Sequence, residues 1–200
     1  NIYCPAEITN ASGNEDFCII SLTPGGNFRW IYNLNGTANI NDGCFSVFSG
    51  PDGNIYATGM LNNSGAGEDF TVISLDQSGT QRWAYIYNGT GNGSDMCYFG
   101  VAFDNAGNLY TLGHTKTSSN NEDYIVVSLK LINGSQRWIY TYNGTGNYDD
   151  IGHYIKLGSD GNLYTCGVTM GATSYDAAVI SLDTAGNQRW VYTYNGPSDY

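Results

Sequence analysis

Charge is what this sequence has least of. Only 12% of its 200 residues are Asp, Glu, Lys or Arg, about half the usual share. Seven of these are basic and eighteen acidic, for a net charge of −11. So few cations cannot neutralise a phosphate track, which excludes nucleic acid as a partner. Anionic membrane surfaces are disfavoured for the same reason. No apolar run approaches the roughly 18 residues of a membrane helix, so no membrane insertion is expected. No segment shows helical periodicity, and no signal peptide is present. The chain opens at Asn1 in mid-pattern, so a targeting segment is expected to have been removed or to lie outside these residues. Histidine is scarce, with only His114 and His153, and neither recurs at a repeated position. A metal or nucleophile site needs several convergent groups, so no catalytic, cofactor-binding or metal residues are assigned and no enzyme is expected. The five cysteines, Cys4, Cys18, Cys44, Cys97 and Cys166, show no CxxC spacing, which argues against zinc.

What the sequence has in abundance is glycine (27), tyrosine (17) and repetition. Gly-Asn-(Ile/Leu)-Tyr occurs at Gly53–Tyr56, Gly107–Tyr110 and Gly161–Tyr164, and the chain begins with Asn1-Ile2-Tyr3. An Asp-led apolar run ending in Ser-Leu follows at Asp16–Leu22, Asp69–Leu75, Asp123–Leu129 and Asp176–Leu182. Arg-Trp comes next, with Trp30, Trp83, Trp138 and Trp190, then Asn-Gly at Asn35, Asn88, Asn143 and Asn195. Asp42, Asp95 and Asp150 lie seven residues beyond the first three of these asparagines. Four landmarks in one order define four copies of about 53 residues, approximately 1–41, 42–94, 95–149 and 150–200, in a single domain.

Each copy reads as four strands, A to D. Strand A is Cys44–Phe48, Cys97–Phe103 or Ile151–Leu157. Strand B starts at Asn-(Ile/Leu)-Tyr, strand C is the Ser-Leu run, and strand D is Trp-x-Tyr-x-Tyr, whose period of two sets its aromatics on one face. Asp52-Gly53, Asp104–Gly107 and Asp160-Gly161 join A to B, while Asp76–Gly79 and Asp183–Gly186 join C to D. An Asp opening the turn and a Gly taking positive φ suit a type I turn closed by a glycine bulge. Four-stranded units at this period predict an all-β, β-propeller-like array whose first repeat lacks strand A. The four Trp are expected at equivalent buried positions, packing blade on blade.

The landmarks resemble the bacterial and archaeal β-propeller repeat family of the seven-bladed type, most fully at Asp104–Tyr110, Asp123–Leu129 and Trp138–Gly144. The resemblance spans essentially the whole chain. It implies a secreted or surface scaffold or binding module and no single activity. A narrower similarity to quinone-dehydrogenase propellers runs from Leu182 to Trp190. It rests on the docking Trp alone, and no adjacent Cys pair accompanies it.

Several residues carry two readings. Asp42, Asp95 and Asp150 either cap their turns or ring a Ca²⁺ site. Cys4 and Cys18 lie on neighbouring strands, where a disulfide is open to them. N-glycosylation sequons stand at Asn10, Asn35, Asn62, Asn88, Asn92, Asn133 and Asn143. Asn35, Asn88 and Asn143 share one repeat position followed by Gly-Thr. Turn chemistry explains the Asn-Gly but not the Thr, so covalent glycans and an extracellular or cell-surface location are expected. The sequence therefore points to a structural, self-associating glycoprotein, such as a filament subunit, with a carbohydrate- or protein-binding propeller module as the alternative. The place beside Asn1–Tyr3 where a strand A would lie is expected to be filled by a neighbouring subunit or by further chain. Contacts are then expected at residues 1–20 and 185–200.

Overall fold

The computed structural model describes residues 1–117, 121–171 and 174–196. They form fifteen strands and no helix, so no helix is long and apolar enough to cross a membrane. All strand pairs with an assigned register are antiparallel, and within each sheet consecutive strands are neighbours.

The first sheet holds β1 (Ile2–Thr9), β2 (Glu15–Leu22) and β3 (Phe28–Leu34). The second holds β4 (Gly43–Ser49), β5 (Ile55–Asn63), β6 (Gly67–Leu75) and β7 (Gln81–Tyr87). The third holds β8 (Met96–Phe103), β9 (Asn108–Lys116), β10 (Glu122–Lys130) and β11 (Gln136–Tyr142). The fourth holds β12 (Asp150–Leu157), β13 (Leu163–Met170), β14 (Tyr175–Leu182) and β15 (Gln188–Tyr194). These are the four expected copies, and β1 occupies the B position with no strand A beside it among the described residues. The chain divides into two compact units, Asn1–Cys97 and Tyr98–Tyr200.

The C–D turns follow the expected chemistry. Gly26, Gly79, Gly134 and Gly186 all have positive φ, and the ladder slips by one residue at Ser21/Leu22, Ser74/Leu75, Ser128/Leu129 and Ser181/Leu182. Each slip is the bulge that closes the turn. Two A–B turns differ from expectation. They open at Gly50 and Gly158, whose N–H groups bond Asn54 and Asn162, so Asp52 and Asp160 sit inside the turn rather than at its head. From there each reaches into its own sheet.

Asp52 Oδ2 accepts the Tyr56 hydroxyl at 2.7 Å, and Arg82 donates to that hydroxyl at 3.2 Å and to Ser74 Oγ at 2.9 Å. Asp104, Tyr110, Arg137 and Ser128 repeat the chain of bonds, as do Asp160, Tyr164, Arg189 and Ser181. One polar line thus runs from the A–B turn across strands B, C and D of a sheet and explains the repeated Tyr, Ser and Arg. In the first unit, Phe17 and Ile19 pack with Cys44, Ile55, Ala57, Ile73 and Leu75. In the second, Tyr110, Leu112, Tyr124 and Val126 pack with Ile155, Leu163, Ile180 and Leu182.

Candidate functional site

The strand-D tryptophans are not equivalent in burial. In the first unit the Trp30 indole lies over the turn glycine Gly79, and Nε1–H donates to the Gln77 carbonyl at 3.0 Å. The Tyr32 hydroxyl, on the same face, donates to Gln81 Oε1 at 2.6 Å. In the second unit Trp138 lies over Gly186 and donates to the Thr184 carbonyl at 3.1 Å, and Tyr140 donates to Gln188 at 2.6 Å. One sheet's strand D is thereby seated on the next sheet's C–D turn. Trp30 and Trp138 are half-buried and Trp83 is 7% exposed.

Trp190 corrects the expectation of four buried tryptophans. It is 41% exposed and packs against Tyr164 of its own sheet, at 6.0 Å between ring centroids. Tyr192, Tyr194, Tyr154 and Tyr175 are exposed as well. A shallow groove of about 330 Å³ lies there, lined by Tyr154, Tyr164, Cys166 and Val179 among others. The first sheet has an uncovered face of its own. Ile2 is 41% exposed, whereas Ile55 and Leu163 at the same repeat position are 1% and 0% exposed. Ile31 is exposed on this face, and Ile20 and Leu22 are only partly covered. Among the described residues no strand pairs with the outer edge of β1.

The repeated carboxylates are caps. Asp42, Asp95 and Asp150 are buried, and their Oδ2 atoms accept the N–H of Gly36, Gly89 and Gly144 at 2.7, 2.7 and 2.6 Å. Asp42 Oδ1 also accepts the Asn62 N–H at 2.7 Å, and Asp150 Oδ1 accepts the Thr169 hydroxyl. Burial pushes the Asp42 and Asp150 carboxyls up, against these hydrogen bonds. Among the described residues no three His, Cys, Asp or Glu side chains are placed to hold a metal.

The histidines flank one ring, Tyr98, at 5.3 Å for His114 and 6.2 Å for His153. Burial pushes His114 down to about 4, with Asp149 opposing the shift.

No disulfide joins Cys4 to Cys18; all five cysteines are thiols. Cys4 faces Ile20 across the β1–β2 pair and Cys18 faces Ala6. Such a diagonal pair stands about 7 Å apart, beyond the roughly 4 Å between Cβ atoms that a disulfide spans.

The sequons divide by surroundings. Asn35, Asn88 and Asn143 are exposed, each donating from Nδ2 to an asparagine four residues on. Those acceptors, Asn39, Asn92 and Asn147, hold positive φ. Asn92 and Asn133 are exposed too. Asn62 is 6% exposed, its amide bonded to the Asn41 carbonyl, which leaves no room for a glycan. Asn10 commits its amide to Asp16 and Asn14. Thr37 of the first shared sequon is itself structural, donating to Asn63 Oδ1 at 3.0 Å.

No family model matches the chain, and no curated protein matches it. Solved structures do. The quinohemoprotein alcohol dehydrogenase from Comamonas testosteroni aligns with a TM-score of 0.57 at 12% identity, over 90% of this chain and 32% of that one. BamB from Moraxella catarrhalis aligns with a TM-score of 0.51 at 14% identity, over 96% of this chain and 52% of that one. This chain thus spans about a third of the first and half of the second. Both are β-propeller proteins. The fold is accordingly that of β-propeller repeats. At these identities the likeness extends to fold and not to activity.

Proposed function

We propose that this chain is a structural module of an extracellular or cell-surface glycoprotein, built of β-propeller repeats of the bacterial and archaeal seven-bladed type, and that it associates with copies of itself. The observation that carries this reading is the uncovered Trp190–Tyr192–Tyr194 face, since its counterparts at Trp30 and Trp138 are seated on a neighbouring sheet. Contiguous exposed aromatics of this kind mark association surfaces. Among the described residues no strand pairs with the outer edge of β1, which leaves an open edge on the first sheet. A non-enzymatic role is supported by the employment of the repeated carboxylates as turn caps. The exposed sequons at Asn35, Asn88 and Asn143 support glycosylation and hence an extracellular location. Sedimentation velocity and negative-stain microscopy of the purified chain test the reading. Assemblies growing with concentration support it, and a monomer at all concentrations overturns it.

One observation favours the binding-module alternative. A cleft of about 260 Å³ in the second unit is lined by Asn121, Asn147, Tyr148, Asp149 and Met170. Tyr148 is exposed there, and the corresponding repeat positions hold Ile40 and Gly93. An exposed ring beside a carboxylate and amides suits a sugar. Glycan-array binding lost in Tyr148→Ala would establish this second role.

A further inference from the structure

This inference rests on the binding-module reading of the Tyr148 cleft and names the chemistry of its ligand. The cleft belongs to the repeat. A counterpart of about 540 Å³ lies in the first unit, lined by Asn14, Ile40, Asn41 and Asn62 among others. In register these stand where Asn121, Tyr148, Asp149 and Met170 stand in the second unit. Two bonds build both clefts. Asn14 donates from Nδ2 to the Asn39 carbonyl, and Asn121 donates from Nδ2 to the Tyr148 carbonyl at 3.0 Å. Asn41 Oδ1 accepts the Glu15 N–H at 3.1 Å, and Asp149 Oδ1 accepts the Glu122 N–H at 3.0 Å.

Three exchanges set the second cleft apart from the first. Asn10, which donates to Asn14 Oδ1, is replaced by Thr117. Asn121 Oδ1 is left without a hydrogen-bond partner, although the residue is only 7% exposed. A buried acceptor in that state is held at a cost that a ligand's donor relieves. Ile40 is replaced by Tyr148, which is 44% exposed and adds an aromatic ring. Asn41 is replaced by Asp149, which adds a carboxylate whose Oδ2 accepts no hydrogen bond from a described residue. No Lys or Arg is among the described residues that line the cleft. The site therefore offers acceptors and negative charge, and its ligand must bring the donors and the positive charge.

We infer that the cleft takes an amino sugar whose amine is free and protonated. The ammonium donates to Asp149 in a charge-assisted hydrogen bond. A ring hydroxyl donates to Asn121 Oδ1, and Tyr148 covers the apolar face of the sugar ring. At about 260 Å³ the cleft falls below the roughly 300 Å³ at which drug-sized sites begin, which suits a single sugar ring. An N-acetylated ring would offer the carboxylate one N–H and no charge. A neutral ring would offer it hydroxyls alone, and an acidic one would be repelled. A lysine side chain would bring the charge but neither the hydroxyl for Asn121 nor the flat face for Tyr148.

Isothermal titration of the full chain with a glucosamine disaccharide, its N-acetylated counterpart, a glucose disaccharide and a lysine dipeptide tests this, under mildly acidic conditions that keep the amine protonated. The glucosamine disaccharide should bind about tenfold or more tightly than the other three, the difference that one charge-assisted hydrogen bond makes. Asp149→Asn should abolish that preference. Thr117→Asn, which restores the internal donor to Asn121, should weaken binding of the glucosamine disaccharide, as should Tyr148→Ile. All three variants install a residue that the first unit carries at the same position, and thermal melts confirm that they fold. A preference that survives Asp149→Asn would mean general attraction to an acidic chain and would overturn the assignment. Equal binding of the N-acetylated or glucose disaccharide would overturn the amine while leaving a sugar cleft standing. Equal binding of the lysine dipeptide would overturn the sugar in favour of a basic peptide. Absence of binding by any sugar would overturn both this inference and the cleft reading on which it rests.

Discussion

The Tyr110 hydroxyl donates to Asp104 Oδ2 at 2.6 Å, and that hydroxyl oxygen in turn accepts an N–H of Arg137 at 3.4 Å. The tyrosine is thus an intermediary between a turn carboxylate and a cation two strands away. Tyr110→Phe removes this relay and little else, because the ring stays packed. It should cost about 1.5–3 kcal/mol, the range for a hydrogen bond to a charged partner, in urea denaturation. Tyr164→Phe should cost less, since the Asp160 end of its relay is exposed to solvent.

Trp138 and Trp190 share a repeat position but not a neighbour. Trp138→Ala empties the seat over Gly186 and leaves the Thr184 carbonyl without its indole donor. It should destabilise the chain by about 3 kcal/mol. Trp190→Ala should stay within about 1 kcal/mol at concentrations where the chain is monomeric. Thermal or denaturant melts of the two variants, run side by side, check the difference.

His114 gives a pH signature. Burial holds its folded pKa at about 4, below the ordinary 6.5. The unfolded chain therefore takes the proton first. The stabilisation is present above about pH 6.5 and is lost as pH falls through about 4. Met60 occupies the same repeat position, so His114→Met is a substitution that this scaffold already accommodates. Relative to wild type, His114→Met should gain up to about 3 kcal/mol between pH 7 and pH 4. The raised carboxyls Asp42 and Asp150 cancel in the comparison, since both proteins carry them. An unchanged difference between the two proteins at pH 7 and pH 4.5 would count against it.

Glycopeptide mass spectrometry of the chain from a glycosylating host should find sugar on Asn35, Asn88 and Asn143 and none on Asn62. The first three are exposed, while Asn62 is enclosed with its amide already bonded. Bare asparagine at all three shared positions would leave the sequons to turn chemistry alone.

The sheets were readable from sequence because each strand carries a landmark and each C–D turn carries a Gly, preceded by an Asp at Asp76 and Asp183. The caps at Asp42, Asp95 and Asp150 were readable as one of two options, since a fixed spacing from Asn-Gly does not say which hydrogens the carboxylate receives. Register was not readable. Cys4 and Cys18 fall on neighbouring strands in either reading, and only the pairing of Cys4 with Ile20 sets them diagonally apart. The exposure of Trp190 was hidden for the opposite reason. Its local sequence, Gln-Arg-Trp-Val-Tyr-Thr-Tyr, repeats that of the seated Trp138 nearly residue for residue, and the difference lies in what covers it.

The seat of a strand-D tryptophan on the following turn glycine has a genetic consequence. Every repeat carries the tryptophan on one side and the glycine turn on the other, separated by a nearly constant length, with Trp30, Trp83, Trp138 and Trp190 spaced 53, 55 and 52 residues apart by subtraction. A duplicated segment of that length would arrive with both halves of the joint in place and would need no new surface. Unequal crossing-over could then lengthen or shorten the array in whole units.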